Sequence, residues 1–310
     1  MVSLDSPGAI GRRGRVAIGV AAAAYLGATI LPLVYGSVHW PVAPAVVVGH
    51  SVGMFMAATV TALLLLTQAG VTGRRAYAIL GATYLFVALV MLVFPLTFPG
   101  AFRSPDPLTG DPRSIIGGGQ SAVWLFYLWQ SSFFVGILIG ALVYWRDNAT
   151  LRRPGLRWGV RRIIWVTSLA AAIPIGVIVL APAVLPVILD PNTGKSPLLV
   201  GIDVCLVVLG LAVCAVTLLQ ARRGSVMNLF LAAVGLIALG MVLSELTARE
   251  RWTVGWYSTR VFTLVSMAAL MVLLILALSK VDRVSTRYAE QDTLTGLLRR
   301  RTFDSRLRFE

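Results

Sequence analysis

Residues 76–102 read AYAILGATYLFVALVMLVFPLTFPGAF, and no Asp, Glu, Lys or Arg interrupts them. About 20 apolar residues in a helix, rising 1.5 Å each, cross the roughly 30 Å hydrocarbon core of a bilayer. This run alone therefore predicts a membrane span. Working outward, the same absence of charge holds from Val16 to Gly73, from Ser114 to Trp145 and from Ile163 to Leu189. Hydrophobic residues make up 57% of the 310-residue chain and charged residues 13%, against roughly 45–50% and 25% in ordinary globular chains. With a mean hydropathy of +0.83, too little polar surface is left to coat a soluble globule. A cytosolic enzyme, a disordered chain and a secreted module are excluded, and the fold class expected is an all-α polytopic membrane protein.

Windows of about 20 apolar residues predict eight spans, at Val16–Gly36, Ala45–Thr67, Ala76–Pro95, Gln120–Tyr144, Ile163–Leu185, Leu198–Gln220, Val226–Thr247 and Tyr257–Ser279. Arg12, Arg13 and Arg15 before the first span resemble a signal-peptide n-region. The apolar run exceeds an h-region and no small-x-small cleavage site follows, so an uncleaved anchor is expected. Pro174, Pro182 and Pro186 can kink the fifth span or end it early.

The net charge of +14 would suggest nucleic acid on a soluble protein. In a membrane protein, Lys and Arg collect in cytoplasmic loops. With the N-terminus cytoplasmic, thirteen basic residues before the C-terminal tail fall inside and five (Arg103, Arg113, Lys195, Arg249 and Arg251) fall outside. Both termini are thus expected in the cytoplasm, with residues 1–15 as a tail, 16–279 as the membrane domain, and no nucleic-acid partner. Cys205 and Cys214, nine residues apart on one helix, cannot reach each other for a disulfide.

Gly136 and Gly140 form a small-xxx-small pair of the kind that lets helix backbones approach in lipid. Gly117–Gly119 could cradle a phosphate, but its place before an outer membrane helix favours a flexible loop or the start of that helix. No internal repeat is convincing enough to suggest a transporter's two halves. Ionisable residues within spans are functional candidates by default: Asp203, Glu245 and Arg260, with His50 and Gln120 as weaker members. All five fall in the outer third of their spans, which suggests a polar cavity open outward, with Arg260 bridging Asp203 or Glu245. A ligand pocket and a structural ion pair both fit this trio. Trp40, Trp124, Trp129, Trp252 and Trp256 lie at the same level, where an interfacial aromatic belt also accounts for them. His39 and His50 lack the cysteines or spaced carboxylates of a metal or haem site, so no metal is expected. A small-solute transporter is the rival reading, but transporters place buried charges near the midplane.

After Ser279 the chain turns polar. Val281, Val284 and Tyr288 recur at helical steps, predicting a linker helix over 280–291 able to pair with a second copy. There follows Asp292, Leu294, Thr295, Gly296, Leu297, Arg300, Arg301 and Phe303, which resembles the D-x-L-T-G-L-x-N-R-R-x-F opening of GGDEF domains, the diguanylate cyclases. Arg299 stands where that family usually has Asn. The resemblance implies an α/β catalytic domain that condenses two GTP into cyclic di-GMP across a dimer with Mg. Its active-site motifs lie downstream of this opening, so residues 292–310 are expected to be only its N-terminal stub, with no catalytic residue and no cofactor in this chain.

The membrane part has a likeness of its own. Thr97–Phe102, then Gly118, Gly119, Gln120, Ser121, Ala122, Trp124, Leu125 and Trp129, resemble the fourth subclass of membrane-associated sensor (MASE) domains, with their F-P-G and G-x-Q-T-A-x-W-L-x-x-x-W segments. Ser121 replaces the usual Thr, and Gln130 stands where a His commonly follows. This resemblance implies a sensory module of the bacterial inner membrane, with His50, Gln120, Trp124, Trp129, Gln130, Asp203, Glu245 and Arg260 as candidates for receiving the signal. Oxygen, a small anion, an aromatic compound or lipid state would all be compatible.

Overall fold

The computed structural model describes residues 12–103, 107, 112–146, 157–190, 194–221, 226–247 and 250–290. The GGDEF-like residues Asp292 to Phe303 lie outside them. The described part is built of eight long helices: α1 (Arg12–Tyr35), α2 (Ala45–Thr72), α3 (Arg75–Thr97), α4 (Ser121–Arg146), α5 (Arg157–Leu180), α6 (Pro197–Ala221), α7 (Val226–Thr247) and α8 (Val254–Glu290). A two-residue antiparallel ribbon, β1 (Leu189–Asp190) with β2 (Gly194–Lys195), lies between α5 and α6. On length and composition, α2, α3, α4, α5 from Gly159 and α6 up to Gln220 can cross a membrane, while α1 and α7 carry shorter apolar stretches.

Helix ends follow local chemistry. Gly73, at φ 69°, closes α2 by donating its N–H to the Ala69 carbonyl, the left-handed cap that glycine adopts without steric cost. Only Gly73 and Arg74 separate α2 from α3, so the two pack as an antiparallel hairpin. α5 runs through Pro174 but stops at Leu180, short of the expected Leu185. Pro182 lacks an N–H and drives Ala181 out of the helical region, to φ −122° and ψ 51°, and a single 3-10 turn (Pro182–Val184) follows. α8 continues without a break through the eighth predicted span and the predicted linker, as far as Glu290.

The packing is duplicated. α2 packs on α3 as α6 packs on α7; α3 packs on α4 as α7 packs on α8; α2 meets α8 as α6 meets α4. The first helix of each set of four lies outside, against the third helix of the other: α1 on α7, α5 on α3. That is the contact pattern of two equivalent four-helix sets, α1–α4 and α5–α8, a duplication that the residues alone did not make convincing. Side-chain identities did not disclose it because the helix-to-helix arrangement is preserved while most residues that fill it differ.

Six helices, α2–α4 and α6–α8, enclose the core, where Tyr77, Tyr84, Phe94, Trp129, Phe133 and Phe134 are fully buried. Gly136 and Gly140 face α3 as their spacing predicted. A Cβ at Gly136 would collide with Thr83, and one at Gly140 would come within 2.5 Å of Leu80. Apolar side chains are uncovered on both α1 and α5, with Val34 64% and Trp165 69% exposed, and α5 from Gly159 is among the helices apolar enough to face lipid. One end of the bundle gathers the described residues 36–44, 98–103, 112–120, 181–190, 194–196 and 250–253, and His50, Gln120, Trp124, Asp203, Glu245 and Arg260 lie towards it.

Candidate functional site

At that end a cleft opens between α3, α4, α6, α7, α8 and the β1–β2 ribbon. Its charged lining is Lys195, Glu245, Glu250, Arg251 and Arg260, and Phe94, Phe98, Phe126 and Trp256 form much of its apolar wall. Its cavity volume is about 50 Å3, room for roughly three or four waters.

Arg260 enters from the second turn of α8 and is buried, with 5% exposure. It does not bridge Asp203 or Glu245 as the sequence suggested. Its guanidinium lies 3.5 Å from the Trp256 ring centre and 5.3 Å from that of Phe126, and Nη1 donates to the Trp256 carbonyl at 2.9 Å. Residues four apart share a helix face, so Trp256 and Arg260 stack naturally, and the ring quadrupole attracts the guanidinium. Asp203 is held instead by Lys195, whose Nζ lies 2.8 Å from Oδ2, and by Tyr127, whose hydroxyl donates to Oδ1 at 2.9 Å. Lys195 also donates to the Glu245 carbonyl at 3.2 Å. One ammonium thereby ties the ribbon to both α6 and α7. Oε2 of Glu245 is buried without a hydrogen-bond partner, as is Nε of Arg260.

Aromatic rings complete the wall. Phe98 lies 5.9 Å from Trp252 and 6.1 Å from Trp256, and these two tryptophans are 4.8 Å apart, with Tyr257 4.9 Å beyond Trp256. The Arg251 guanidinium sits 5.1 Å over Phe98. Burial lowers its pKa from the ordinary value, but a guanidinium stays charged at physiological pH. Trp252 has a left-handed φ of 68°, a conformation that costs a bulky residue on the order of 1–3 kcal/mol. In return, its carbonyl accepts from Trp40 N–H at 2.7 Å, while Val254 N–H donates to Val38. Segments 36–44 and 250–253 are thereby zipped together, and Tyr257 Oη donates to the Pro41 carbonyl at 2.6 Å.

The other predicted residues do different work. The Gln120 amide is spent on the connection before α6: Nε2 donates to the Leu189 carbonyl, and Oε1 accepts from the Ile188 and Leu189 N–H groups. Trp124 donates to the Pro186 carbonyl at 3.2 Å. Gly117, at φ +77°, and Gly118 wrap around Ser121, whose hydroxyl accepts from Gly118 N–H and donates to the Ile178 carbonyl. This triple glycine starts a helix. Trp129 and Gln130 are fully buried among α4's neighbours and do not line the cleft, so Trp129 is core rather than interfacial belt. His50 is buried on α2, also outside the lining. Glu245 and Arg260 thus face the cleft, Asp203 braces it through Lys195 and Tyr127, and the remaining five candidates belong to its frame or to the core beneath.

Sequence reasoning missed Tyr127, Lys195, Glu250 and Arg251 as cleft residues. A partial signal existed for Lys195, an isolated lysine eight residues ahead of a carboxylate inside a span. Phe98 and Tyr127 lay within the quoted motif segments but carried no charge to single them out.

No curated protein and no solved structure matches the chain. A family model does match, over residues 42–281, which takes in α2 to α8 up to the start of its polar extension. No GGDEF domain is detected in this chain. With most of its length covered by that model, and with several apolar helices around a polar, aromatic-walled cleft, the chain belongs to the MASE4 family, membrane-associated sensor, integral membrane domain.

Proposed function

We propose that this membrane sensor domain receives a small-molecule signal at the cleft, on the outer face of the bacterial inner membrane, and passes it through α8 to a GGDEF domain that makes cyclic di-GMP. In this reading all eight helices cross the bilayer, both termini are cytoplasmic, and residues 280–291 pair with a second copy. Residues 292–310 then begin the cyclase, whose GTP and Mg bind in the parent protein beyond this stub. The observation that carries the reading is the position of Arg260: it lines the cleft and stands on the same helix that reaches Glu290. At 37 residues, α8 is about 55 Å long, well beyond the roughly 30 Å of hydrocarbon. Transmission requires that the signal bind two helix arrangements with different affinity.

A cysteine pair through V284C tests this in native membranes. Oxidative crosslinking to a dimer is expected, and a reporter fused after Glu310 should be active in the cytoplasm. A monomer, or a reporter on the other side, overturns the relay. Reading the coding sequence past Glu310 for a G-G-[DE]-E-F segment tests the cyclase directly. Small-solute transport is the second reading, favoured by the duplicated four-helix arrangement, since transporters are often built from repeats. Against it, Trp129, Phe133, Phe134 and Ile137 fill the interior below the cleft with no exposure above 1%.

A further inference from the structure

We propose that the cleft takes a small zwitterion, an amino acid-like molecule carrying one carboxylate and one ammonium, held between Arg260 and Glu245; this rests on reading the cleft as the signal-receiving site. The charges decide the class. Lys195 is spent on Asp203 and on a carbonyl. Glu250 is engaged outside the cleft by His39, with Oε2 3.1 Å from Nε2. Arg251 lies over Phe98 and has no polar atom that is both buried and unpartnered. Two buried groups of opposite sign remain: Arg260, whose Nε is unpartnered and which has no carboxylate within ion-pair distance among the described residues, and Glu245, whose Oε2 is unpartnered.

Arg260 and Glu245 attract each other, and Thr259 hydrogen-bonds Glu245, but Arg260 and Glu245 each keep one buried polar atom without a partner, which is costly. A bare anion would answer Arg260 but leave Glu245 unpaired and repelling it. A bare cation would answer Glu245 and meet Arg260 in the same way. A molecule with both charges answers both, one at each end. The space, equal to roughly three or four waters, suits an alanine-sized molecule and is far too small for a nucleotide or haem. Phe94 and Val123 supply the apolar contact for a short side chain.

The test uses the full chain in lipid nanodiscs, with tryptophan fluorescence (Trp256 is in the wall) and calorimetry. Glycine, alanine and β-alanine are the zwitterions, propionate the carboxylate alone, and ethylammonium the cation alone. At least one zwitterion should bind about tenfold or more tighter than either single-charge probe. R260Q should reduce the zwitterion to the level of ethylammonium, and E245Q to that of propionate, both variants keeping the parent's thermal transition. Propionate binding as tightly as the best zwitterion, affinities unmoved by both substitutions, or no binding of any zwitterion at millimolar concentration would overturn the proposal. Crosslinking through V284C separates this from the relay. A zwitterion that binds without altering crosslinking leaves the ligand class standing and removes the relay. Crosslinking that responds to R260Q while no zwitterion binds does the reverse.

Discussion

At the cleft end, helices are tied by polar side chains that reach into connecting segments: Gln120 to residues 188–189, Lys195 to Asp203 and the Glu245 carbonyl, Tyr257 to Pro41. Through the middle and towards the other end, most ties are absences of side chain, although Gln220 of α6 donates to the Ala141 carbonyl of α4 there. Gly136 and Gly140 admit Thr83 and Leu80 of α3, Gly81 admits Leu66 of α2, and Gly235 admits Thr217 of α6. Lipid supplies no hydrophobic drive between helices, so close van der Waals contact holds that region. Steric contacts of this kind tolerate no enlargement. Hydrogen-bonded ties, by contrast, can be exchanged for others when a ligand or a motion supplies a partner. The difference places the adaptable part of the molecule at the cleft and the rigid part beneath it.

The largest effect is expected from G136L, which drives a branched side chain into Thr83. No folded, monodisperse protein should be recovered, and even G136A should cost about 1–3 kcal/mol by overpacking, read as a lowered thermal transition in detergent. A well-behaved G136L protein would show that the region beneath the cleft is not rigid. Next comes D203N, which leaves Lys195 and the Tyr127 hydroxyl without their buried carboxylate. A loss of about 3 kcal/mol is expected, most of it regained in the D203L/K195M double variant, where no charge is left stranded. Q120A, which orphans two N–H groups and a carbonyl of the connection before α6, should cost about 2 kcal/mol. Cleavage between residues 185 and 196 by limited proteolysis should rise at the same time. H39A should change nothing measurable, because the His39–Glu250 pair is exposed and surface pairs contribute little. A sizeable loss there would mean that the zipped connections matter more than the side chains that brace the cleft.

The helices were legible because charge-free runs such as 76–102 have one outcome in a bilayer, and the Gly136–Gly140 spacing announced its packing. The cleft was half legible. Glu245 and Arg260 declared themselves by being ionisable inside apolar helices, yet their partners could not be read. Lys195 finds Asp203 only because the β1–β2 ribbon folds back over α6, and Arg260 prefers Trp256 because four residues are one helical turn. Gln120 and His50 looked equally polar in sequence, but the first is consumed by three backbone bonds and the second is enclosed on α2. The early stop of α5 was signalled by Pro182, whose effect on Ala181 is local. The duplication of the fold was invisible for the opposite reason, since it lives in which helices touch.

α8 holds no proline, and no glycine after Gly255. Sharp bends in helices need such breaks, so this one has nowhere to shed a twist. From Arg260 to Glu290 is about 45 Å of unbroken rod, and each residue along it advances the angle by about 100°. Whatever azimuth the second turn adopts against Trp256 and Phe126 is therefore delivered, turn for turn, to the far tip. One residue added or removed between the two would re-aim everything beyond it by more than a quarter of a circle while leaving the cleft untouched.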